Sequence, residues 1–178
     1  MGMLLRTMRV FLAARFRGPL ALFGGSRLGF RVLPGDLDFN IHMNNARYLA
    51  VMDIGRIDLI LRTGMWRLMW RHRWQAVLGG SLVRYRRPLR PFQRMELSSR
   101  LIGWDAKWLY IAHRIEADGA VACQAVVRAA FVSGEGIVEP AQLAKLLGYS
   151  DATPELPAWV ASWQAADVAL GQPMMAAA

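Results

Sequence analysis

Stretches in the second half of the chain alternate apolar and polar residues with a period of two. Over residues 94–104, Met95, Leu97 and Leu101 fall on one side and Arg94, Glu96, Ser98 and Arg100 on the other. That alternation predicts a strand with one buried face. Residues 107–116 and 120–132 read the same way and are joined at Asp118-Gly119, a strong hairpin signal. In the second of them Val121, Cys123, Ala125, Val127, Ala129 and Phe131 share a face, opposite Gln124 and Arg128. A further strand is expected over 77–87, with a bend or bulge at Gly79-Gly80 and a stop at Pro88. A short one is expected over 26–33, ended by the Pro34-Gly35 turn.

The first half follows a helical rhythm. Residues 46–63 are apolar on nearly every side, from Leu49, Val51 and Met52 through Ile54 and Ile57 to Leu59, Ile60 and Leu61. Such a helix belongs inside a protein. Asn44 or Asn45 supplies its N-cap, Gly64 its stop, and Asp58 and Arg62 a pair four residues apart. Trp66, Trp70 and Trp74 recur at every fourth position, which predicts a core-facing helical stripe. Two weaker helices are expected near 140–148 and 157–170. The order is strand, long buried helix, then four antiparallel strands, an α+β arrangement in which the sheet buries the helix by curling around it.

Composition narrows this picture. At 178 residues the chain suits one domain, here residues 26–150, with an N-terminal segment over 1–25 and a helical tail over 151–178. One cysteine, Cys123, rules out an internal disulfide. The net charge is +9, with six arginines and no acid in the first 31 residues. That excess suits an anionic lipid surface, a phosphorylated ligand or nucleic acid, or reflects codon bias. The longest charge-free run near the start, residues 18–26, is too short to cross a bilayer. Residues 3–16 read as a basic, imperfectly amphipathic helix, placed either against the domain or on a membrane surface. The three histidines lie 30 and 41 residues apart, with no metal-ligand spacing among them.

Polar chemistry is concentrated at Pro34–Leu49, PGDLDFNIHMNNARYL. This stretch, with RYRRPLRPFQRMELSSRLIGWD at Arg84–Asp105, resembles the hotdog-fold acyl thioesterases. Its pattern D-x-D-x-N-x-H-M-N-N-x-x-Y looks like that of the acyl-ACP and 4-hydroxybenzoyl-CoA thioesterase groups. It most resembles the group that contains thioesterase superfamily member 6 and its bacterial relatives. The resemblance implies a curved antiparallel sheet of about five strands wrapped around one long helix. It also implies a homodimer or larger assembly, such as a tetramer, with active sites at the interface. The implied substrate is an acyl group on coenzyme A or acyl carrier protein, with no metal or redox cofactor, and no nucleic acid partner is implied. A cytoplasmic location is expected, with peripheral membrane contact through the N-terminal segment.

By the same resemblance, Asp38 is the catalytic carboxylate, acting as nucleophile or general base, with Asn40 and His42 orienting water or the acyl carbonyl. Asn44, Asn45 and Ala46, at the helix start, supply the cap and the oxyanion donors. Asp36 reads as a turn residue. Asp53, on the buried helix, is a second candidate acid, although Arg56 three residues on favours a structural ion pair. Arg84, Arg86 and Arg87 are candidates for the phosphates of coenzyme A or an acidic carrier, with a solvated face as the plain alternative. His113 is expected to pack within a strand and His72 to be exposed. Two other functions stay open: binding acyl thioesters without cleaving them, and a basic nucleic-acid or lipid-surface module.

Overall fold

The period-two alternation places Met95, Leu97, Ser99 and Leu101 on the inner face of a strand whose outer face carries Arg94, Glu96, Ser98 and Arg100. The computed structural model describes residues 2–170. Its strands are β1 (Ser26–Arg31), β2 (Gln75–Tyr85), β3 (Arg94–Trp104), β4 (Leu109–Ala117), β5 (Ala120–Ser133) and β6 (Gly136–Val138). They form one antiparallel sheet in the order β1-β3-β4-β5-β2, with the short β6 also paired to β5. β6 is one strand more than the alternation signals. Asp118 and Gly119 both adopt positive φ, 51° and 72°, as a two-residue hairpin requires.

The long helix α2 (Asn45–Arg62) lies against the concave face of this sheet. Val51 and Met52 are wholly buried, and Ile54 is 1% exposed. Burial of each such side chain contributes about 1.5–3 kcal/mol. Close approach to β3 depends on Gly55, where a Cβ would collide with Ser99 Oγ and lie 2.8 Å from Leu97 Cδ2. The bend at Gly79 is a register shift between Leu78 and Gly80, and the indole of Trp108 occupies the place a Cβ would take.

Helices close the remaining surfaces. α1 (Met3–Ala14) packs on α2 and buries Arg6 and Val10, which are 2% and 3% exposed. α3 (Met65–His72) follows α2 directly, and its buried residues are Met65 and Leu68. The tryptophan stripe is therefore corrected. Trp66 and Trp70 are 44% and 85% exposed, and only Trp74, beyond the helix, is in the core. α4 (Pro140–Leu146) closes one end of the core. α5 (Ala158–Leu170) reaches the outer face of the sheet, where Gln164 donates to Asp105 and to the Tyr110 hydroxyl, at 2.7 and 2.9 Å. Residues 171–178 of the expected tail lie outside the described residues.

The carboxylates on α2 sort differently from their reading as residues of a buried helix. Asp58 is the fully buried one, held by Ser26 Oγ at 2.6 Å, Arg17 at 3.1 Å and Arg62 at 3.3 Å. The Asp53 side chain is 62% exposed in the single chain.

Candidate active site

The loop between β1 and α2 is built from short-range polar contacts. Leu37 and Met43 form an antiparallel bridge that pinches Asp38–His42 into a tight projection. Within it the Asp38 N–H donates to the His42 carbonyl at 2.9 Å and the Ile41 N–H to the Asp38 carbonyl at 3.1 Å. Ile41 adopts a φ of 60°. The Asp38 carboxylate accepts the Asn40 N–H at 2.9 Å, closing an Asx turn. Among the described residues this is the carboxylate's one hydrogen bond, so an oxygen is left for a ligand. Asp38 and His42 are half-buried and Asn40 is exposed.

The loop is fixed to the core beneath it. Asp36 accepts two bonds from the buried Arg6 guanidinium, at 3.0 and 2.6 Å, and one from the Leu33 N–H at 2.9 Å. Its carbonyl accepts the Asn44 N–H at 2.8 Å, and the Met43 N–H reaches the Leu89 carbonyl at 2.9 Å. Asp36 is thus a turn residue that also carries a buried ion pair, and Arg6 is a participant that no sequence signal marks.

Asn44 is the N-cap. Its side-chain oxygen accepts the Ala46 N–H at 2.9 Å. That amide is therefore engaged, whereas the Asn45 N–H has no acceptor among the described residues. It stands at the positive end of α2, where developing negative charge is stabilised. The Asn45 carbonyl accepts the Tyr85 hydroxyl at 3.1 Å, and Tyr85 meets Tyr48 edge to face at 5.3 Å. Burial pushes the Tyr48 hydroxyl up to about 12, with the charge of Asp38 among the smaller causes. Tyr48 is the tyrosine that closes the sequence pattern, and it lies in the core at 2% exposure.

A second feature lies farther along α2. An apolar cavity of about 570 Å³ opens between α2, α3 and the sheet, with Ile57, Met65, Trp74, Leu109 and Phe131 in its walls. Asp53 and Arg56 supply its polar edge, paired at 2.7 Å as an i, i+3 ion pair. Asp53 stands eight residues from Asn45, about 12 Å along the helix. None of Asp38, Asn40, His42 and Asn44 lines this cavity in the single chain.

Behind Arg56 a buried chain of hydrogen bonds continues into the sheet. Arg56 Nη1 lies 3.4 Å from His113 Nε2, and His113 Nδ1 lies 2.8 Å from Ser99 Oγ. Arginine only donates, so Nε2 accepts and the proton sits on Nδ1. Burial first, and the Arg56 charge second, push the His113 imidazole down to about 3. Below the unfolded value of 6.5 the unfolded chain binds a proton that the folded chain refuses. This contribution to stability is therefore complete above that value and lost as the pH falls, at up to about 1.4 kcal/mol per pH unit. Urea midpoints measured at about pH 7 and about pH 4 are expected to fall less in His113→Gln than in the wild type. Equal falls would show that His113 carries none of the acid sensitivity.

The basic candidates occupy separate places. Arg84 stands on the outer face of β2 and lines a groove with Arg27, Arg100 and Arg114. Arg86 and Arg87 follow the strand, exposed, with both backbone N–H groups donating to the Ala122 carbonyl.

Comparison with known proteins gives one consistent result. The model of the thioesterase-like superfamily matches residues 32–164. Protein THEM6 of Xenopus laevis is 42% identical over 86 residues, covering 48% of this chain and 42% of that protein. Protein THEM6 of Drosophila melanogaster is 34% identical over 131 residues, covering 72% of this chain and 66% of that protein. The chain thus spans from about two fifths to two thirds of these relatives' length. Among solved structures, a thioesterase from Thermus thermophilus crystallised with coenzyme A and zinc superposes with a TM-score of 0.59 at 24% identity, covering 68% of this chain and 89% of that one. A probable thioesterase from Bartonella henselae gives a TM-score of 0.59 at 20% identity over 65% of this chain and 98% of that one. These structures share the hotdog fold, the helix wrapped by a curved antiparallel sheet.

Proposed function

Because the chain belongs to the thioesterase-like superfamily, we propose that it hydrolyses acyl thioesters and that Asp38 is the carboxylate responsible. The observation that carries this reading is the Asp38 carboxylate, with an oxygen free, on the loop that leads into the N-terminus of α2. In that position Asp38 either takes a proton from an attacking water or attacks the acyl carbon itself. The carbonyl oxygen gains negative charge as the tetrahedral centre forms, and the Asn45 N–H and the dipole of α2 stabilise it. Collapse breaks the carbon–sulfur bond and releases a thiol. Water supplies the oxygen of the product carboxylate, directly or by hydrolysing an acyl–Asp38 intermediate. Asn40 and His42, whose side chains make no hydrogen bond among the described residues, orient the water or the carbonyl.

The carrier in this reading is coenzyme A, in keeping with the structural neighbour crystallised with it. The acyl chain takes the apolar cavity. Since the cavity and Asp38 are apart on one chain, the complete site needs a second protomer. Edge strand β2 offers the joint: among the described residues only β5 pairs with it, and Leu78 and Leu82 are 50% and 49% exposed. An edge so long and apolar is a template for another strand.

Release of free thiol from short-chain, long-chain and aromatic acyl-CoAs tests the reading. Turnover of at least one class is expected. No turnover on any of them, by protein that is folded and dimeric, would sink the hydrolase assignment and leave an acyl-binding protein.

A further inference from the structure

We propose that α1 and α3 form one face that docks on an anionic lipid surface and that the apolar cavity opens into that face. α1 is fixed to the domain through the buried Arg6 and Val10 and through Arg9, which donates to the Gly29 carbonyl at 3.2 Å. Its other side presents Leu4, Leu5, Met8 and Leu12 at 72%, 52%, 51% and 63% exposure, with Phe16 following at 86%. A helix already docked by one stripe has no need of a second apolar stripe in water.

The stripe continues onto α3. Phe11 of α1 lines the same cavity as Trp66 and Trp70 of α3, and all three are exposed, Trp70 at 85%. Tryptophan at the rim of an apolar opening suits the boundary between headgroups and acyl chains. Arg15, which follows α1, and Arg67, Arg71 and Arg73 at α3 are exposed, and the Arg67 guanidinium lies over the Trp66 ring at 5.6 Å. Neither helix contains an acidic residue. The acid at the cavity edge, Asp53, is paired with Arg56. No described helix is long and apolar enough to cross a membrane, so contact through this face would be peripheral.

Charge decides between a lipid surface and a second copy of the chain as the occupant. A two-fold contact through α1 would set Arg15 against a segment equally basic and without an acid to answer it. Anionic headgroups answer these guanidiniums, while the acyl region takes up the leucines and aromatics. That an acyl thioester then enters the cavity from the bilayer rests on the hydrolase reading above. The docking does not.

The test is flotation of the full chain with vesicles of equimolar phosphatidylcholine and phosphatidylglycerol, against phosphatidylcholine alone. The wild type is expected to float with the anionic vesicles and to be released by salt. Leu5→Glu/Met8→Glu/Leu12→Glu alters exposed residues outside the cavity lining and is expected to weaken binding at least about tenfold. A charge reversal, Arg15→Glu/Arg71→Glu, leaves the apolar stripe whole and is expected to abolish the preference for anionic vesicles. Hydrolysis of a short, water-soluble acyl-CoA, if present, should be unchanged in both, so failure of docking and failure of the hydrolase reading are read separately. Wild type that remains below the vesicles, or a triple variant that floats as well as the wild type, would overturn the proposal. So would a triple variant that loses only its oligomeric state, since the stripe would then be a contact between copies.

Discussion

Replacing Asp38 with asparagine is expected to lower kcat for thioester hydrolysis by about 10²–10⁴-fold, with KM little changed. Asparagine matches aspartate in size, and its side-chain oxygen can still accept the Asn40 N–H that closes the Asx turn. What disappears is the negative charge, and with it both the general base and the nucleophile. The hydrophobic cavity is untouched, since Asp38 does not line it. Stopped and steady-state thiol release, with thermal melting and sedimentation as controls, would measure the effect. Asp53→Asn provides the contrast. If Asp38→Asn kept its activity and Asp53→Asn lost it, chemistry would move to the cavity edge, where Arg56 holds Asp53 at 2.7 Å. Activity surviving both substitutions would remove carboxylate catalysis from the mechanism.

The sheet was legible in the sequence because its signals are local. Each of β3, β4 and β5 carries its own alternation, although a bulge in β5 buries Ala122 beside Cys123 and takes Val121 off the shared face. The Asp118-Gly119 turn needs nothing but its two left-handed residues. The cap of α2 is equally local, with Asn44 two residues from the amide it accepts. Periodicity, however, states that a stripe exists and not what covers it. Trp66 and Trp70 do share a side of α3, but the left-handed Arg73, at φ 53°, ends the helix before Trp74. Trp74 then turns into the core and the other two stay outside. On α2, Asp53 and Asp58 are five residues apart, or about 140° around the helix, so one can be buried while the other faces outward. The cavity left no trace in any short window because its walls come from separate elements. The partner of Asp36 was hidden for the same reason, lying 30 residues upstream.

That hidden pair carries the second large effect. Arg6→Met is expected to destabilise the fold by about 3–5 kcal/mol, the usual result of removing one partner from a buried ion pair. Asp36 is 6% exposed, and without Arg6 its carboxylate would retain one described donor, the Leu33 N–H. Arg6 Nη2 also holds the Arg31 carbonyl at 2.7 Å, at the end of β1. For a domain of this size each kcal/mol lowers the melting temperature by about 2–4 °C, so a fall on the order of 10 °C should be seen. Arg6→Met/Asp36→Asn should be less destabilised than the sum of the two single variants, because it leaves no orphaned charge. Strict additivity, or a loss from Arg6→Met under about 1 kcal/mol, would mean that α1 rests on the domain without holding it. The pair also connects stability to the proposed chemistry. The Asp36 carbonyl receives the N–H of Asn44, the residue that caps α2 and follows the Asp38 loop. Turnover of Arg6→Met measured well below its melting temperature therefore separates two roles. A fall in kcat in a fully folded variant would make Arg6 a positioning residue for the loop, and an unchanged kcat would confine it to the fold.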